Sequence, residues 1–190
     1  MTPVEEPRFD WRRGGAAAIA LIATLVLLGM VVLVAMTNNA RDEALAAERH
    51  AYDIALLTRT ADASIARADA AVGRYALDED ASTSGSRYYA QWRLAEQQIG
   101  QLERLVSDDP AQRRRAQELR QLFNERGRQF SLVARYIAGR QKTYGISYYY
   151  AISLKQDGQD DVGTRLRGKL AEIANSERRS LQEKMAESIF

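Results

Sequence analysis

The chain has 190 residues, a formal net charge of +2, 23 arginines against 4 lysines, one histidine and no cysteine. Such a balance offers no strong field for nucleic acid. The missing cysteines exclude a disulfide framework, a thiol nucleophile and a Cys-ligated zinc, and a single histidine excludes a His-pair metal motif.

Residues 1–14 read as a short cytoplasmic tail. Ala16–Thr37 then runs without a charge, the length needed to cross a bilayer's hydrocarbon core. It exceeds the apolar region of a cleaved signal peptide, and "NNARDEA" follows it, not a small-x-small cleavage site. The segment, residues 15–37, is expected to be a retained signal anchor. Arg8, Arg12 and Arg13 precede it, whereas Arg41 and Arg49 lie further behind. That bias predicts an N-terminus inside and residues 38–190 outside the cytoplasm.

Beyond the anchor the pattern is helical. Over about 39–77, Ile54, Leu57, Ala61, Ile65, Ala68, Val72 and Tyr75 recur in steps of three and four, one apolar stripe on a helix. The helix is expected to continue from the membrane span and to project about 57 Å at 1.5 Å per residue. "DEDASTSGS", 78–86, reads as a polar loop. A second helix, about 87–106, carries Tyr88, Trp92, Ala95, Ile99, Leu102 and Val106 on one face. In "SDDP", Asp109 is an N-cap and Pro110 the first helical residue. The third helix, about 110–143, aligns Ala116, Leu119, Phe123, Phe130, Val133 and Ile137. Arg126 occupies an apolar register position between Phe123 and Phe130. The helix either breaks near Gly145 or runs on to Lys155. "QDGQDDVG" forms a loop. A last helix, about 161–189, places Leu166, Leu170, Ile173, Leu181 and Met185 roughly on one face, interrupted by Glu177. The fold class is all-α: a long transmembrane helix leading into an antiparallel four-helix bundle, expected to be dimeric.

No Gly-rich phosphate loop, nucleophile elbow or kinase signature is present. His50 lacks the acid and proline that follow a phospho-accepting histidine. Asp108–Asp109 and Asp160–Asp161 precede helices, where capping accounts for them without catalysis. We therefore expect no catalytic, cofactor-binding or metal-binding residues and no enzymatic activity. Candidate ligand or dimer contacts are Arg59, Arg67 and Arg74, which can meet an anionic ligand. Tyr148, Tyr149 and Tyr150 join them, because three consecutive helical residues cannot all enter one core stripe.

Several motifs, in order, resemble the extracytoplasmic CHASE sensor domain of the third type. "GRYALDED" resembles a first-helix ending that reads Arg-Gly-Tyr-Leu-Leu-Thr-Gly-Asp. Tyr75, Leu77 and Asp80 match, Gly73 and Arg74 are exchanged, and Glu79 replaces the turn glycine. "SDDPAQ" resembles an Asp-Asn-Pro-x-Gln turn through Asp108, Pro110 and Gln112. Gly145 resembles a glycine late in the third helix. Leu166, Arg167, Leu170, Ile173, Glu177 and Leu181 follow the spacing of the last helix. The resemblance covers about 40–185. It implies a bacterial inner membrane protein with a periplasmic four-helix sensor between two membrane spans, feeding a cytoplasmic output, first a histidine kinase, with a diguanylate cyclase or chemoreceptor as alternatives. A homodimer is expected because a bundle signalling through single spans needs a partner to move against; the partners are otherwise the membrane and an unknown extracytoplasmic ligand or protein, with no nucleic acid. It supplies no common ligand. The segment from Asp161 to Phe190 is shorter than the first helix, so we expect the chain to stop before a second span. A coiled-coil envelope scaffold is the alternative reading.

Overall fold

The computed structural model describes residues 11–140, 142–154 and 161–187, and among them every regular element is helical. The elements are α1 (Trp11–Asp78), a π-type turn (Ala81–Gly85), α2 (Ser86–Leu105), α3 (Pro110–Ala138), α4 (Lys142–Leu154) and α5 (Val162–Glu187). The chain divides into two units, Met1–Ala46 and Ala47–Phe190.

In the first unit, Leu21 to Met36 present their large apolar side chains outward. The two threonines satisfy their hydroxyls within the helix, Thr24 donating to the Ala20 carbonyl and Thr37 to that of Leu33, each at 2.8 Å. A helix that turns apolar groups outward and pairs its own polar ones is compatible with lipid. By length and composition it is the one membrane-crossing candidate among the described residues.

The second unit is a bundle whose core follows the expected stripes. Ile54, Ala61, Ile65, Ala68, Val72 and Tyr75 of α1 are buried, and Leu57 packs against them. The α2 and α3 stripes are buried too, with Trp92 partly so. Each large apolar side chain fully buried contributes about 1.5–3 kcal/mol. Helix propensities differ by only about 0.7 kcal/mol among ordinary residues, so packing of the stripes decides the arrangement. Trp92 joins the two halves of the core, stacking on Phe123 at 4.1 Å and meeting Phe130 edge-on at 5.3 Å.

Two expectations change. The third helix, expected over about 110–143, ends at Ala138. Arg140 adopts a left-handed φ of 58°, and the N–H groups of Gly139 and Arg140 close the end onto Arg135 and Ile137. The chain then turns back. Gly145 lies on α4 against Ile137, and Tyr148 meets Tyr136 with ring centroids 6.0 Å apart. Gly145 therefore belongs to the returning helix, not to the end of the third. Further along, Lys169 pairs with Glu118 and Arg115 with Glu172, so α5 also runs antiparallel to α3. The fourth arm of the bundle is thus built from α4 and α5 in succession and begins at Lys142, not at Asp161. A residue count from Asp161 consequently does not measure the return arm. Met185, expected on the apolar face of α5, is 56% exposed.

Candidate functional site

The first helix stops where three acids stand together. Glu79 has a φ of 55° and donates its N–H to the Tyr75 carbonyl at 3.0 Å. This is the left-handed residue of a helix C-terminus, a position that favours glycine. Asp78 Oδ1 accepts from the Asp80 N–H at 2.9 Å, and Asp78 Oδ2 accepts from the Ser84 hydroxyl at 2.6 Å. Asp80 caps the π-type turn, accepting from the Ser82 N–H and hydroxyl and from the Thr83 N–H. The Ser82 hydroxyl, then Thr83, hold the Asp80 carboxyl down to about 2. These acids build a turn, and no group of three or more His, Asp or Glu fit for a metal ion occurs among the described residues.

The polar centre of the bundle is Arg126, whose side chain is 2% exposed. Its Nη2 donates to Asp69 Oδ2 of α1 at 3.2 Å and its Nη1 to Gln129 Oε1 at 3.0 Å. Nη1 also faces Asp161 Oδ1 at 3.8 Å, and the guanidinium lies 4.5 Å over the Phe130 ring. Asp161 has a second task, because its Oδ2 accepts from the Thr164 N–H at 3.1 Å and so caps α5. The capping reading of Asp161 is therefore correct and incomplete. Gly163 makes the approach feasible, since a Cβ there would come within 2.9 Å of Asp161 Oδ2. One buried cation thus ties α1, α3 and the start of α5 together. Removing one partner of such a group costs about 3–5 kcal/mol, because the other charge stays buried. A cavity of about 280 Å³ beside it is lined by Ile65, Asp69, Arg126, Tyr149 and Arg167. Arg126 was visible in the sequence only as a charge at a core register position.

A second tie sits in the first turn of α3. Gln112 is buried and donates through Nε2 to Glu177 Oε2 at 3.1 Å and to the Ile173 carbonyl at 3.5 Å. Glu177, which interrupts the apolar face of α5, is accounted for by this bond. Asp109 caps α3 as expected, accepting from the N–H groups of Ala111 and Gln112.

The arginines singled out on α1 do not converge. Arg67 and Arg74 share a cavity of about 360 Å³ with Arg87, Ser84 and Gln91, between α1 and α2. Arg59 faces the other way, in a cavity of about 230 Å³ between α1 and α5, opposite Arg167 and Arg178. The tyrosines divide as well. Tyr148 and Tyr149 pack against the upper core, and Tyr150 is 49% exposed. Gly73 leaves room for Tyr149, whose hydroxyl would collide with a Cβ at that position.

A family model described as "CHASE3 domain" matches residues 44–187 of the chain. No curated protein and no solved structure matches it.

Proposed function

Because the chain belongs to the CHASE3 domain family, an extracytoplasmic sensory and non-catalytic domain of signalling proteins such as histidine kinases, we propose that it is the sensory input module of a bacterial membrane receptor, with the periplasmic bundle reporting to a histidine kinase. The carrying observation is helix α1. The outward-facing apolar run and the first arm of the bundle belong to one helix, Trp11–Asp78.

The fourth arm is the partner against which α1 moves. It is held by Arg126 at the start of α5 and by the Gln112–Glu177 bond lower down. A stimulus that changes how α5 packs on α1 would shift one helix along the other, and movements of about 1–2 Å serve in known transitions. A homodimer supplies the second copy against which a single span can move.

Membrane-impermeant maleimide labelling tests the topology. With no native cysteine in the chain, Ser107→Cys on the exposed α2–α3 turn is expected to label in intact cells. Thr2→Cys is expected to label only after permeabilisation. The reverse pattern would place the bundle in the cytoplasm and remove the reading.

A further inference from the structure

The α1–α5 groove around Arg59 has the chemistry of a ligand site. Arg59 from α1 and Arg167 and Arg178 from α5 line a cavity of about 230 Å³, with Asp62 on its wall and Leu170 and Ala174 within it. Among the described residues none of the three arginines forms an ion pair. Arg167 only donates to the Gly163 carbonyl, at 3.4 Å. Asp62 Oδ1 is buried and accepts no hydrogen bond among the described residues. A buried carboxylate oxygen without a donor is unfavourable, and the three exposed arginines carry positive charge along the groove without an ion-pair partner among the described residues. One occupant answers both: a molecule with a carboxylate for a guanidinium group and an N–H donor for Asp62. Guanidinium binds carboxylate in a two-pronged fashion, and the alanine and leucine surface accommodates a short carbon chain.

The geometry points to this groove as the binding site for a small α-amino acid. Arg167 and Arg178 stand three turns apart on α5, about 16 Å at 1.5 Å per residue, with Arg59 across the groove from them, so a ligand with a second carboxylate, an acidic amino acid, can engage more than one of them. The volume lies below that of drug-sized pockets, which suits a ligand of this size. The groove joins α1 to the returning arm, so occupancy would bear on the two helices that the signalling mechanism moves. This consequence rests on the sensory reading, whereas the binding does not.

Titration calorimetry on the full chain in lipid nanodiscs tests it, with L-glutamate, L-aspartate, L-alanine and succinate as probes. At least one of the amino acids is expected to bind with a Kd below about 1 mM, the weak end of specific binding. Arg59→Gln and Arg178→Gln are each expected to weaken it about tenfold or more. Asp62→Asn is expected to weaken the amino acids while leaving succinate unchanged. Arg67→Gln, in the other groove, serves as the control and is expected to have no effect. Absence of binding by every amino acid, or affinities indifferent to Arg59, Arg178 and Asp62, would overturn the site. The assay reads binding alone, so that failure would leave the sensory reading intact, while a wrong topology by maleimide labelling would leave the binding result intact.

Discussion

Single residues decide the ends and ties of this bundle. Glu79 holds a left-handed φ of 55° where the resembling motif has glycine. A non-glycine residue there gives up about 1–2 kcal/mol, and glycine returns part of this through its freer unfolded chain. Glu79→Gly is therefore expected to stabilise the bundle by about 0.5–1 kcal/mol, read as a rise of a few degrees in Tm. A fall in Tm would mean that the Glu79 side chain is needed there. Asp80 is more acidic folded than its ordinary 3.8, at about 2. A group with a depressed folded value stabilises above its unfolded value and loses that contribution as pH falls through the folded one. Its contribution is thus complete above about pH 4 and disappears toward pH 2. Ser82→Ala is expected to raise the value, followed by carboxyl-carbon chemical shifts during an acid titration. An Asp80 that titrates near 3.8 in the unaltered chain would contradict the capping. For Arg126, replacement by Met leaves Asp161 and Asp69 without their buried cation and is expected to cost about 3–5 kcal/mol. Adding Asp161→Asn, which keeps a capping side chain, should recover most of the loss in thermal unfolding. No recovery would mean that Arg126 acts through packing.

At the scale of the element, the sequence made the stripes legible and the reversal after α3 much less so. The α1, α2 and α3 stripes are buried because side-chain periodicity and burial are two expressions of one geometry. The end of α3 depends on Gly139, the kind of residue that marks a helix end just past its last periodic position, and on Arg140, which carries no such mark. Arginine in a left-handed conformation has no local sequence mark. The packing of α4 depends on Gly145, which meets Ile137 too closely for any Cβ. Gly145→Ala should therefore destabilise by about 1–2 kcal/mol, overpacking against Ile137 outweighing the helix-propensity gain. A rise in Tm would mean that α4 does not rest on α3 there. The candidate sites were partly legible. Arg59 reads in the sequence as a charge off the apolar stripe, but Arg167 and Arg178, which share its groove, lie more than a hundred residues away in sequence. Arg126 stands out in the sequence as a charge at an apolar register position, and its role depends on Asp69 and Asp161, brought to it by the fold.

At the scale of the whole molecule, the proposed receptor works as a pair of chains. Leu56, Ala63, Ala70 and Leu77 of α1 recur every seventh residue on the side away from Ile54, Ala61 and Ile65. Of these, Leu56, Ala70 and Leu77 are exposed, and Ala63 is half-buried. A heptad repeat with small residues suits close contact with a second α1 helix. The absence of native cysteine allows each position to be read singly. The direct measurement is disulfide cross-linking in native membranes, one cysteine at a time, at every position from Ile54 to Val72. The account predicts yields that rise and fall with a spacing of three and four residues, highest at Leu56, Ala63 and Ala70 and lowest at Ala61, Ile65 and Ala68. A flat profile, or no cross-linking at any position, would contradict the dimeric sensor.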